Sequence, residues 1–243
     1  YGRALPAGYI EEVSPGIAAT DVEHLAALTG PDDLRLSLYR SRRKDGGLRF
    51  KLYRQLDDIP LSDALPMMEN MGLRVISEHP YKVDAAAGLA YIQDFEVESL
   101  QGDLDVDAID EDFEDAFARV WRGEAENDGF NRLILTAGLS WRQVAMLRSY
   151  CKYQLQVGVP FSQTYMEATL ARYPLLARLL VELFEARFDP RTGSESDAEI
   201  KRGMSRFGAQ LKSLSADDEA AMNALKSVVE ARAKGRNAQV DAT

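Results

Sequence analysis

Residues 34–52 read Leu34-Arg35-Leu36-Ser37-Leu38-Tyr39-Arg40-Ser41-Arg42-Arg43-Lys44-Asp45-Gly46-Gly47-Leu48-Arg49-Phe50-Lys51-Leu52. Leu34, Leu36 and Leu38 alternate with polar residues, the period-two pattern of a half-buried strand. Leu48, Phe50 and Leu52 repeat it. Lys44-Asp45-Gly46-Gly47 supplies turn residues between the two runs, so they form an antiparallel hairpin.

Helical and extended patterns flank this hairpin. Upstream, Ala7–Val13 reads as a strand, and Ile17–Leu28 as a helix with Ala18, Val22, Leu25 and Ala26 on one face and Gly30 as its stop. Downstream, Leu61–Asn70 is a helix whose apolar side carries Leu65, Met68 and Met71, ended by Gly72. Two strands follow, Leu73–Val83 and Leu89–Val97. The succession is β-α-β-β-α-β with one extra strand, which predicts a ferredoxin-like sheet with both helices on one face. The fold class is therefore α+β, with this module over residues 1–101.

Asp94–Asp115 holds eleven carboxylates and no Lys or Arg. It lacks the EF-hand pattern and reads as a solvated acidic linker and helix start, with the break between domains at Gln101-Gly102-Asp103. From Ile109 onward the pattern is helical. Ile109, Phe113, Ala116, Phe117, Val120 and Trp121 form one apolar stripe. Ser140-Trp141-Arg142-Gln143 is a capping box opening a helix that runs to Gln156 and stops at Gly158, and Ser162 caps the next. An all-α domain over residues 102–190 is expected. A tail over 191–243 begins with a loop at Arg191–Ser196. Ile200, Met204, Phe207, Leu211 and Leu214, then Met222, Leu225, Val229 and Ala233, form narrow seams that suit a helical hairpin or a partner helix.

Composition bounds the chemistry. The 243 residues carry a net charge of −10, with 46% hydrophobic and 28% charged residues. This balance suits a globular protein with a real core, and opposes nucleic acid or an anionic membrane as partner. No apolar run approaches the ~20 residues that cross a bilayer. Tyr1 in place of Met, with no secretory leader, predicts a fragment of a longer chain. The lone Cys151 excludes an internal disulfide, fits a reducing cytoplasm, and reads as a buried small hydrophobe. Two histidines cannot build a multi-histidine metal site; His24 reads as a surface residue and His79, before Pro80, as part of a turn.

Glycine-rich phosphate loops, the G-x-S-x-G elbow and H-E-x-x-H are absent from the sequence. No catalytic, cofactor-binding or metal-binding residue is assigned. The eight basic residues against one acid over Arg35–Arg54 suit a polar sheet face docked to another domain better than an RNA platform, because the ribonucleoprotein motif is missing. One further run, Trp121–Leu133, sets polar groups between two apolar stripes. Its simplest role is capping by Asn127 or Asp128 and pairing of Glu124 with Arg122 or Arg132. Arg122, Glu124, Glu126, Asn127, Asp128, Asn131 and Arg132 are the candidates for an interdomain or ligand contact.

Trp121–Leu133 (WRGEAENDGFNRL), Ala137–Arg142 (AGLSWR), Pro160–Met166 (PFSQTYM), Ala177–Pro190 (ARLLVELFEARFDP) and, upstream, Leu61–Val75 (LSDALPMMENMGLRV) resemble the large bacterial NAD-specific glutamate dehydrogenases. The likeness runs in consistent order over roughly Leu5–Pro190. It implies an ACT-like regulatory module followed by a helical region, both upstream of a catalytic domain. The parent reaction it implies is oxidative deamination of L-glutamate to 2-oxoglutarate and ammonia, with hydride transfer to NAD. No lysine here falls in a catalytic motif of that family, so the fragment is expected to be inactive and to bind no cofactor itself. The implied partners are other domains of the same polypeptide, further copies in a homo-oligomer, and an amino-acid effector near Gly8–Gly16 and the hairpin. ACT-like sheets also pair edge to edge. The two functional readings are a regulatory and assembly segment, or a purely structural interdomain and oligomerisation scaffold.

Overall fold

The computed structural model describes residues 1–41, 46–85, 88–100, 102, 104–188 and 196–240. These fall into two compact units, Tyr1–Asp128 and Gly129–Thr243. The first opens with helices α1 (Ala7–Glu12) and α2 (Pro15–Ala27). The hairpin follows as β1 (Arg35–Arg40) and β2 (Leu48–Gln55), then α3 (Leu61–Asn70), β3 (Leu73–Ala85), β4 (Gly88–Ser99) and α4 (Asp110–Trp121). The four strands form one sheet in the order β1-β2-β4-β3, antiparallel throughout. Counted from β2, the chain runs β-α-β-β-α, and β1 occupies the place of the plan's last strand. The sheet is thus the expected α+β module, begun one strand early.

Two features depart from expectation at the N-terminus. Ala7–Val13 forms α1 rather than a strand. Tyr9 and Val13 are four apart and so share one helical side, and the Val13 N–H closes on the Tyr9 carbonyl at 2.8 Å. Tyr9 is fully buried, edge-on to Tyr81 at 5.1 Å. Second, the helices do not share one face. Leu48, Phe50 and Leu52 point to one side of β2, where Phe50 meets Phe113 and Phe117 of α4 edge-on at 5.1 and 5.0 Å. Gln93 of β4 lies on that side and brackets Ile59, its amide joined to both the N–H and the carbonyl, so the chain enters α3 there. Lys51 and Tyr53 point the other way. Leu25 and Leu28 pack on that opposite face with Tyr53, Tyr81, Val83 and Ile92. β2 is a central strand covered on both faces, which is why it is buried almost continuously, Lys51 included.

Three further expectations shift. His79 is no turn residue; with Pro80 it lies inside β3, an edge strand, where a missing N–H is tolerated. Asp94, Glu96 and Glu98 belong to β4, not to a linker, and Asp94 is buried. The expected break is only partly visible, since Gln101 and Asp103 lie outside the described residues. Helix α4, grouped by sequence with the helical region, packs on the sheet through Phe113 and Phe117, so the first compact unit extends to Asp128.

The second unit is helical: α5 (Arg132–Ala137), α6 (Trp141–Gln156), α7 (Gln163–Arg172), α8 (Pro174–Phe188), α9 (Ser196–Leu211) and α10 (Ala216–Val240). Gly138 ends α5 in the left-handed region at φ 59°, which favours glycine. Ser140 and Gln143 form the capping box, and Cys151 is buried in α6. The two seams close within the unit: Phe207, Leu211, Met222, Leu225 and Val229 are buried, with α9 against α8 and α10 against α6, α7 and α8. Residues 191–195 of the expected loop lie outside the described residues. Buried Asp218 clamps α10 to α7, accepting from Tyr165, Thr169, Tyr173 and Arg172 at 2.9–3.2 Å. Burial would raise its pKa, but Tyr165, Ser215, Tyr173 and Arg172 hold it below the usual carboxylate value. Among the described residues no helix is long and apolar enough to cross a membrane.

Candidate functional site

On the sheet face covered by α1 and α2, charge is buried. Asp21 of α2 is 1% exposed and Lys51 of β2 fully buried. Lys51 Nζ lies 2.5 Å from Asp21 and 3.6 Å from Asp94. Tyr53 donates its hydroxyl to Asp21 at 2.7 Å, and Tyr9 donates to the same carboxylate. Arg49 grips Asp94 with Nε and a terminal nitrogen at 2.9 Å each. The alternating chain Asp21, Lys51, Asp94, Arg49 neutralises itself, which is how ions survive desolvation. Burial, with Asp21 adding, raises the pKa of both Tyr9 and Tyr53, so they remain phenols and donors. His24 is half-buried rather than a fully solvated surface residue: it stacks on Tyr53 at 4.7 Å, and burial lowers its pKa.

Above this network lies a chamber of about 480 Å³, walled by Glu12 and Ser14 from the α1–α2 corner and by Tyr39, Arg49, His79 and Glu96 from the sheet. Two segments marked in the sequence, Gly8–Gly16 and the hairpin, meet here. Tyr81 donates to Glu12 at 2.6 Å, and His79 Nδ1 lies 3.4 Å from the same carboxylate. Ser77 donates to Glu96 at 3.0 Å. Burial, then Asp94 and Asp21, raises the Tyr39 pKa. A second hollow of about 750 Å³ shares Ser14, Ile17 and Tyr39 and adds Asp107, Asp110 and Glu114.

Glu114 of α4 also closes one sheet edge. Its carboxylate accepts the outward N–H of Leu38 in β1 at 2.8 Å, while Arg40 donates to the Leu104 carbonyl at 3.0 Å. Pairing of another strand at this point requires Glu114 to leave. Burial, helped by Asp110 and Glu111, outweighs the Leu38 bond and raises the Glu114 pKa to about 7. The folded value lies above the unfolded value of about 4.3. The protonated form therefore contributes stability that is complete below the unfolded value and lost as pH rises through the folded one. Glu114→Gln, which keeps an acceptor for Leu38, should flatten the decline in melting temperature between about pH 5 and pH 8. Parallel wild-type and variant curves would refute this.

Arg122, Glu124, Asn127 and Asn131 of the 121–133 run serve local pairs within their units. Glu124 accepts from Arg122 and Arg119 at 2.9 Å each. Asn127 accepts from Asn70 at 3.0 Å rather than capping the next helix. Glu126 is exposed and Asp128 half-buried. In the second unit, Asn131 is buried and accepts from Arg148 at 2.8 Å. Asn131 precedes α5 with no side-chain cap bond, and Arg132 Nε is buried without a hydrogen-bond partner among the described residues. A Cβ at Gly129 would stand 2.6 Å from the carboxylate of Glu167, so that flexible side-chain end would have to shift.

Comparison with known proteins places both units in one family. Residues 1–28 match the model "Glutamate dehydrogenase, helical motif 2", residues 33–109 "Glutamate dehydrogenase, ACT3 domain", and residues 125–190 "Glutamate dehydrogenase, helical motif 3". The NAD-specific glutamate dehydrogenase of Halomonas elongata is 47% identical over 189 residues, 77% of this chain and 12% of that protein. That of Pseudomonas aeruginosa is 40% identical over 191 residues, again 77% and 12%. That of Mycobacterium tuberculosis is 32% identical over 240 residues, 95% of this chain and 15% of the relative. The chain thus spans between 12% and 15% of the length of these relatives. It belongs to the large NAD-specific glutamate dehydrogenases, as a segment that carries an ACT3 domain between helical motifs 2 and 3.

Proposed function

We propose that this chain is a non-catalytic regulatory and assembly segment of a cytoplasmic, homo-oligomeric NAD-specific glutamate dehydrogenase. In that parent, L-glutamate is oxidatively deaminated to 2-oxoglutarate and ammonia by a catalytic domain outside this segment, which also holds the NAD. The module over 1–101 would sense an amino-acid effector, and the helices over 102–190 and 191–243 would link it to other domains of the same polypeptide. The observation that carries this reading is the chamber between α2 and the sheet, lined by the two segments singled out for an effector. Arg122, Glu124, Glu126, Asn127, Asp128, Asn131 and Arg132 are assigned to an interdomain or ligand contact within the parent. The purified chain, given L-glutamate and NAD, should generate no NADH. Measurable turnover would overturn the assignment.

The second reading, a pure scaffold, is favoured by the self-neutralising Asp21–Arg49 network, which needs no ligand to be satisfied. Calorimetric titration with an amino-acid panel separates the two: flat heats throughout leave a scaffold, while saturable heats support the sensor.

A further inference from the structure

The charge on the chamber's walls is unequal. Its described lining holds three carboxylates, Glu12, Asp94 and Glu96, against a single guanidinium, Arg49. Arg49 is consumed by the two-pronged grip on buried Asp94, and its remaining terminal nitrogen stands 3.9 Å from Glu96. Lys51 adds nothing to the cavity surface, because it is fully buried between Asp21 and Asp94. The carboxylates left at the cavity surface are Glu12, which accepts from Tyr81 and lies 3.4 Å from His79 Nδ1, and Glu96, which accepts from Ser77; their side chains are 51% and 41% exposed, so each can also meet a solute. The neighbouring hollow, joined through Ser14, Ile17 and Tyr39, adds Asp107 and Asp110 against one guanidinium, Arg40, which donates to the Leu104 carbonyl, so carboxylates outnumber guanidinium groups beyond the chamber too. Tyr39 and Tyr81 supply ring surface, and the Tyr39 ring already faces one ammonium, Lys51 Nζ at 5.4 Å from its centroid.

We propose that the chamber between α2 and the sheet takes a small organic cation, with its primary ammonium or guanidinium group held by Glu12 and Glu96 beside the ring of Tyr39. This rests on the reading that the chamber is the effector site and names the charge of what it accepts. An acidic amino acid is disfavoured there. L-Glutamate, the substrate proposed for the parent, carries a second carboxylate into a field of the same sign. The site would then report a solute other than the one consumed at the catalytic domain.

The test is calorimetric titration of the whole chain with 1,4-diaminobutane at low salt, with L-glutamate titrated in parallel. Saturable heats from the diamine, none from L-glutamate, and weakening as salt rises are expected. Glu96→Gln should weaken diamine binding about tenfold, the effect of losing one charged hydrogen bond. Tyr39→Leu should weaken it too, while Glu98→Gln, in an exposed pair with Arg74, should leave it unchanged. Thermal melts certify that each variant is folded, and Ser77→Ala, which removes the hydroxyl on Glu96, provides a milder variant should Glu96→Gln unfold. Flat heats with folded wild-type chain, tighter binding of L-glutamate, or full affinity in folded Glu96→Gln would each overturn the proposal. None of these outcomes bears on whether the chain produces NADH, so the inference can fail while the regulatory-segment reading stands.

Discussion

Lys51→Met is expected to destabilise the sheet-bearing unit by about 3–5 kcal/mol, the usual cost of removing one partner from a buried ion pair. Lys51 is fully buried, and its ammonium is shared by Asp21 and Asp94. Methionine fills a similar volume, so the loss is electrostatic: Asp21 would keep only the hydroxyls of Tyr9 and Tyr53. The companion variant Asp21→Asn in the Lys51→Met background should recover part of the loss, because no uncompensated charge then remains. Urea unfolding followed by circular dichroism would read both. The sheet unit's transition should move to lower denaturant while the helical unit's stays in place. An unchanged midpoint in Lys51→Met would show that the ammonium is solvated.

Phe113→Ala should cost a comparable amount, about 3–5 kcal/mol for an emptied aromatic site. Phe113 is fully buried and edge-on to Phe50 at 5.1 Å. Its loss should loosen α4, and with α4 goes Glu114, the acceptor for the Leu38 N–H on the edge of β1. Hydrogen exchange at Leu38 should therefore accelerate more than at Leu52 in the sheet interior. If Leu38 keeps its protection, α4 belongs with the helical region, and the boundary near residue 101 is the better one.

The hairpin was legible because alternation is local: Leu36, Leu38, Phe50 and Leu52 carry the strand period on their own. The helices of the second unit were legible for a similar reason, since Ser140, Gln143 and Ser162 act on backbone within a few residues of themselves. The buried charges were not. Asp21 reads as part of a polar helix face, although it sits four residues before buried Leu25. Lys51 reads as the solvent side of a half-buried strand. The usable signal was a lysine at an outward position of a strand that turned out to be central. That signal has no meaning until both neighbours of β2 are known. His79 illustrates the same limit, because the proline after it marks an edge strand only once the sheet order is fixed.

By itself the amino-acid order determined the α+β class, the helix starts and stops of the second unit, and the family, because periodicity, caps and long matched strings are written in neighbouring residues. Only the tertiary structure decided which face each helix covers, where β1 sits in the sheet, and that Glu12, Tyr39, Arg49, His79 and Glu96 share one chamber. The physical reason is range. Backbone hydrogen bonds and capping act over three or four residues, whereas desolvated charge pairs such as Asp21 with Lys51 form only between groups that packing has already brought out of water.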